Sequence, residues 1–210
     1  MFEVIQKGGP LMIPILGCSV LAMAFVIERL VHLYRAQIDT QAFLTQIKRV
    51  LAKGGGREAV ELCNRTPGPV SHILRAGILD REKGKAQIRE SIEDAALFEV
   101  PRLERNLNLL ATIAHISPLL GLLGTVTGMI RAFQVLQEKA GGLAPINPAD
   151  LAGGIWEALI TTAAGLLVAI PTYVAYNYLV SRVNGFVLDM ERSATQLVQI
   201  LTEERVTHEV

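Results

Sequence analysis

The 210-residue sequence predicts an all-α membrane protein with three transmembrane helices, the second and third extended far into the cytoplasm. Three observations carry this fold class. Residues 8–27, 106–130 and 158–181 contain no Asp, Glu, Lys or Arg. Each of these stretches is 20 to 25 residues long. At ~1.5 Å per residue, that is enough helix to cross a hydrocarbon layer of ~30 Å. Between and after them, apolar residues recur at helical rather than alternating spacing. Half of the residues are hydrophobic, only 19% are charged and the net charge is zero, so no overall basic field points to nucleic acid.

Residues 1–27 form an N-terminal segment and the first span. Ala22-Met23-Ala24 mimics a signal-peptide cleavage site, but it lies inside the apolar run, and Glu3 weakens the positive start. An uncleaved anchor is the expectation. Residues 28–107 read as a cytoplasmic helical region, punctuated by Gly54-Gly55-Gly56, Thr66-Pro67-Gly68-Pro69 and Gly84. Between the breakers lie short amphipathic runs such as Phe43, Leu44, Ile47, Val50 and Leu51. From Lys85 the pattern Ile88, Ile92, Ala95, Ala96, Leu103, Leu107, Leu110 predicts a helix that enters the second span without a clear stop. Pro101 should kink or restart it.

The second span is 108–130. Within 109–130 stand one proline, three glycines and three threonines, too many small and hydroxylated residues for a plain lipid-facing helix. Residues 131–157 form an external loop, turn-rich around Gly141-Gly142, Pro145 and Pro148. The third span is 158–181. It continues as a C-terminal cytoplasmic helix, 182–210, on which Val183, Val187, Met190, Ala194, Leu197 and Leu201 alternate steps of four and three. That seam suits either packing on the chain's own helices or a bundle of such helices in an oligomer.

Basic residues set the orientation. Of the 20 Lys and Arg, 14 lie in 28–107, including Arg29, Arg35, Arg102 and Arg105 near the span ends. This places 28–107 and the C-terminus in the cytoplasm, and the N-terminus and 131–157 outside. Cys18 falls in the membrane and Cys63 in the cytoplasmic region, so the two are not expected to pair.

The polar groups inside the spans are the candidates for function. Stepping back from Thr125 by four and three reaches Gly121, Pro118, Ala114 and Ala111, a groove of small residues with one hydroxyl. Stepping on from Thr162 reaches Ala169, Tyr173 and Tyr176. Two antiparallel helices meeting along these faces would leave a narrow cleft lined by Thr125 and Thr162. The competing reading is close packing, with each hydroxyl bonded to its own helix and Gly124-xxx-Gly128 serving as a packing signal. Glu157 opens the third span, where a carboxylate either snorkels outward or attracts cations at a wet mouth. His115 lies inside the second span; imidazoles exchange protons near neutral pH, and a neutral ring bonded to a backbone carbonyl is the favoured state. No Asp, Glu or Lys lies at mid-membrane in any span. A proton path built on these walls would therefore take its central acid from another subunit. No nucleophile–base pair, metal-ligand cluster or phosphate loop is visible, so neither an enzyme nor a cofactor is expected.

The run 116–130, ISPLLGLLGTVTGMI, resembles the second-helix signature of the MotA/TolQ/ExbB proton-channel family. The run 154–166, GIWEALITTAAGL, resembles its third-helix signature, followed by Ala169-Ile170-Pro171 and Tyr176-Asn177. The likeness is dense over 109–181, and the length and the GLLGTV wording lie nearer to ExbB, then TolQ, than to MotA. The resemblance implies a pentameric ring in a bacterial inner membrane, enclosing helices of an ExbD- or TolR-like single-span partner that carries the protonatable Asp. It implies that Thr125, Thr162 and Glu157 line the proton path. Pro118 and Pro171 match recurring prolines, and Gly121, Gly124 and Gly128 serve packing. It implies use of the proton motive force to drive a TonB-like protein, or a Tol-type machine for envelope integrity. A non-conducting scaffold is the rival from another class.

Overall fold

The computed structural model describes residues 8–140 and 148–208. Among them are seven α-helices and no strand: α1 (Met12–Ala36), α2 (Thr40–Leu51), α3 (Gly56–Arg65), α4 (Pro69–Leu79), α5 (Lys85–Glu104), α6 (Leu107–Ala140) and α7 (Pro148–His208). Three helical segments are long and apolar enough to cross a membrane, and α6 and α7 extend well beyond a span. The 34 residues of α6 and the 61 of α7 exceed the roughly 20 residues a bilayer requires. The chain divides into two units, Met1–Glu28 with Asn106–Tyr178, and Arg29–Arg105 with Leu179–Val210.

The second unit is a helical core with sequence-encoded ends. The Asp39 carboxylate caps α2 by accepting from the Ala42 N–H at 3.0 Å. Gly68 has φ +113, and a Cβ there would stand 2.6 Å from the Ala36 carbonyl, so only glycine fits before Pro69 opens α4. Ile47, Ala59, Cys63, Ile73, Leu74, Ile88 and Ile92 are buried together with Leu179, Val183, Met190, Leu197 and Leu201 of α7. Four of the six seam residues of the tail, Val183, Met190, Leu197 and Leu201, are thus buried within the chain. Leu197 and Ile92 both converge on Gly77 of α4, while Val187 and Ala194 of the seam are half-buried.

One sequence expectation is overturned. The helix from Lys85 does not run on into the span. It ends at Glu104, and α6 begins at Leu107. The break falls at Arg105-Asn106 rather than at Pro101, which stays inside α5. Asn106 sits at φ +63, a left-handed conformation that asparagine tolerates better than most residues. Its side-chain amide donates to Glu28 at 2.8 Å, which anchors the turn. The connection read as turn-rich is helical at both described ends, because α6 continues to Ala140 and α7 starts at Pro148. Gly141, Gly142 and Pro145 lie outside the described residues.

Candidate functional site

In the first unit α6 and α7 run antiparallel and meet along a seam of small residues. From α6 come Ser117, Gly121, Gly124, Gly128 and Ala132; from α7 come Gly154, Ala158, Thr161 and Gly165. The backbones approach closely. A Cβ on Gly128 would stand 2.6 Å from the Gly154 carbonyl oxygen, and one on Gly165 would stand 2.5 Å from that of Ser117. Contact this close is the use small residues have inside membranes, where apolar side chains gain nothing by leaving lipid. The expected cleft between the two helices is therefore absent within one chain. Gly121 and Thr162 touch, a Cβ on Gly121 standing 3.0 Å from the Thr162 Cα, and no guest helix fits between them.

The hydroxyls sort into two groups. Ser117 donates to Ile113 O at 2.7 Å, Thr125 to Leu122 O at 2.7 Å and Thr172 to Val168 O at 2.7 Å, all within their own helices. Thr161 is buried and donates to Glu157 O at 2.8 Å and Ala158 O at 3.0 Å. Thr162 alone among these reaches the neighbouring helix. Its Oγ1 lies 3.0 Å from Gly121 O and 3.1 Å from Ala158 O, so its single proton is shared between the two helices. Thr125 and Thr162 are both half-buried at the edge of the seam. A shallow surface recess of about 540 Å³ runs from Thr125 along Met129 and Phe133 to Gln134 and Gln137.

Glu157 is engaged. Its carboxylate forms an ion pair with Arg131, the residue that closes the charge-free part of α6. Antiparallel packing brings the end of one span to the start of the next, which places these charges side by side. Gly9, at φ +68, lies against the pair, and a Cβ there would collide with the carboxyl group. Pro118 and Pro171 stand inside continuous helices. Each lacks the N–H that would otherwise bond four residues back. His115 Nδ1 lies 2.6 Å from Ala111 O, as the sequence reading favoured, and its ring meets that of Tyr173. Both cysteines are free. No group of three His, Cys, Asp or Glu side chains is placed to hold a metal among the described residues.

Sequence reasoning named Gly121, Gly124 and Gly128 but missed their partners, Thr161 and Gly165, although Gly154-xxx-Ala158 and Thr161-xxx-Gly165 carry the same small-residue spacing. It also missed Arg131, whose position opposite Glu157 follows once the spans are antiparallel.

The signature of the MotA/TolQ/ExbB proton channel family matches residues 65–192. An ExbB-like 3 biopolymer transport protein of Synechocystis is 32% identical over 172 residues, covering 82% of this chain and 81% of that protein. An ExbB homolog of Methanothermobacter thermautotrophicus is 28% identical over 183 residues; the match covers 87% of this chain but 63% of that longer relative. The Tol-Pal system protein TolQ of Haemophilus influenzae is 42% identical over 104 residues, 49% of this chain and 43% of that protein.

Proposed function

Because the chain belongs to the MotA/TolQ/ExbB proton channel family, we propose that it is an ExbB-like subunit of a proton-driven motor in a bacterial inner membrane. In this reading several copies, five by family likeness, surround an ExbD-like single-span partner that carries a membrane Asp. The motor energises a TonB-like protein for outer-membrane transport. The N-terminus and the 131–157 connection face outside, and the C-terminus faces the cytoplasm.

The carrying observation is the Thr162 hydroxyl, shared between two helix backbones in spans that hold no mid-membrane carboxylate. With its proton committed to Gly121 or Ala158, Oγ1 presents lone pairs. It can accept a hydrogen bond from a protonated carboxyl group, whereas donating to a carboxylate means giving up a helix carbonyl. Thr125, bonded to Leu122 O, has the same bias. Such a wall favours the neutral form of a guest acid. A proton entering from outside would neutralise the partner Asp, let it pass the threonines and leave on the cytoplasmic side. One charge falling through about 100 mV releases about 2.3 kcal/mol for turning the partner helix. The Arg131–Glu157 pair stands at the outer rim of this path.

The high local identity to a TolQ favours a second reading, a Tol-type motor serving envelope integrity through a TolR-like partner. A non-conducting scaffold would need only the glycine seam. Proton flux into vesicles holding the chain and its Asp-bearing partner separates either motor from the scaffold. Thr162→Ala and Glu157→Ala should each lower flux, the chain alone should barely conduct, and Gly124→Leu should break assembly. Unchanged flux in both of the first two variants would overturn the assigned lining.

A further inference from the structure

The second span contains one titratable side chain, His115. Ionisable residues inside membranes are rare and commonly mark proton relays. The chemistry of its contacts specifies which nitrogen is available. A backbone carbonyl can only accept, so the 2.6 Å contact with Ala111 O makes Nδ1 the protonated nitrogen. In the neutral ring, Nε2 then carries the lone pair, and the side chain is exposed. Tyr173 of α7 holds the imidazole from the other side, with ring centroids 6.2 Å apart and planes at 86°, the edge-to-face arrangement that aromatic pairs prefer. Tyr176 packs behind Tyr173 at 6.5 Å. The imidazole is therefore held from two sides, with Nε2 as its basic nitrogen.

Its depth is informative. His115 lies ten residues from Thr125 toward Asn106, and Tyr173 lies eleven residues from Thr162 in the same direction, about 15 Å along each helix. That is roughly half the hydrocarbon thickness. A proton released near the threonines must cover this distance to reach His115, which stands between them and the Asn106 end of the span.

We propose that His115, held by Ala111 and Tyr173, is a proton-relay station on the cytoplasmic half of the path. The inference rests on the proton-conducting reading above. Nε2 takes a proton from a water chain and becomes imidazolium, then returns one proton from the same nitrogen to water nearer Asn106. Nδ1–H stays on Ala111 O throughout, so no ring flip is needed and the cycle neither makes nor breaks a bond between heavy atoms. The groups facing the ring are the Ala111 carbonyl from its own helix and Tyr173, backed by Tyr176, from α7.

The test uses proteoliposomes holding the chain with its Asp-bearing single-span partner, an imposed pH gradient and an internal pH dye. His115→Gln and His115→Ser remove the titrating nitrogen while keeping a hydrogen-bonding side chain. Each should lower flux by about a hundredfold, the lower end of what a positioned proton-transfer group contributes, and flatten its dependence on internal pH. If wild type itself does not conduct, the motor reading fails. If wild type conducts and either assembled variant matches it in rate and pH profile, the relay alone fails. Should neither variant assemble, ¹⁵N NMR of the wild-type complex decides. An Nε2 signal that titrates with internal pH while Nδ1 stays protonated supports the relay, and an imidazole indifferent to pH on that side overturns it.

Discussion

Replacing Gly128 with Ala tests whether the α6–α7 seam is held by backbone contact. The added methyl would lie 2.6 Å from Gly154 O and 2.9 Å from the Ala158 Cβ, whereas ordinary contact begins near 3.4 Å. Both obstacles sit on or next to backbone, so the helices must part by about 0.8 Å locally. A radial gap of that size forfeits about a quarter to a half of each dispersion contact along the seam. Overpacking of this kind costs about 1–3 kcal/mol. If the separation extends to Gly121, the 3.0 Å bond from Thr162 is lost as well, adding about 0.6 kcal/mol, the mean for interhelical hydrogen bonds in membranes. The better helix propensity of Ala returns about 1 kcal/mol. Gly153→Ala isolates that last effect, because nothing lies within 4 Å of a Cβ built there. The expected result is a Gly128→Ala chain about 1.6–3.6 kcal/mol less stable than Gly153→Ala, the overlap and hydrogen-bond losses taken together. Titration of the detergent-solubilised chain with SDS, followed by the fluorescence of Trp156, measures the difference. Equal stability of the two variants would refute close backbone packing at Gly128.

Four further outcomes are expected. A double-mutant cycle with Arg131→Gln and Glu157→Gln should give a coupling of no more than about 1 kcal/mol, because the Arg131 side chain is 48% exposed and solvent screens the pair; a coupling several times larger would mean the site is dry. Burial pushes the Cys63 thiol up from 9.0 to about 11, only partly offset by Arg75. At pH 7.5 its alkylation in the folded chain should be slower than in urea by about a hundredfold from thiolate loss alone. At the end of α4, hydrogen bonds from Lys83 and then Ser91 hold the Asp80 carboxyl below its usual range. The stability removed by Asp80→Asn should thus be constant at neutral pH and shrink as pH falls from about 4 through the lowered value, which paired unfolding curves at pH 7 and pH 3 would reveal. Finally, Thr161→Val should leave both assembly and flux intact, since that buried hydroxyl only back-bonds to its own helix. Thr162→Val should leave assembly intact but lower flux, and identical behaviour of the two variants would sink the separation of their roles.

The spans were legible because charge exclusion is a property of sequence alone, and a stretch without Asp, Glu, Lys or Arg marks a bilayer crossing whatever it packs against. The α2 cap at Asp39 and the start of α4 at Pro69 follow from equally local chemistry. The break at Asn106 was not legible. Its left-handed backbone is stabilised by Glu28, which lies 78 residues away in sequence. Pro101 was the stronger local breaker and yet left α5 intact, because a missing N–H weakens one rung while the helix continues on the others. At the candidate site, the wheel drawn from Thr125 and Thr162 fell to one side of the true contact face. Thr161, Gly165 and Ser117 occupy the seam, and the two named threonines flank it. Small residues stand on more than one face of each helix, so periodicity could not choose among them.

The position of Thr162 beside the seam, rather than in it, bears on where a path could run. The chain buries only 17%, 33% and 28% of its three most apolar stretches. Leu119, Leu122 and Val126 of α6 and Leu167, Ile170 and Val174 of α7 remain exposed. Those faces suit lipid or other copies, and they offer a proton nothing. Between α6 and α7 there is no room, since the backbones are already in contact at Gly128–Gly154 and Gly165–Ser117. On the proton-driven reading, a polar route would therefore pass along the edge of the helix pair, where Thr125 and Thr162 stand half-buried. One edge is half of a wall, and the other half has to come from a neighbouring copy or a guest helix. For that reason conduction should appear only in the assembled complex, while the glycine seam should hold in the isolated chain.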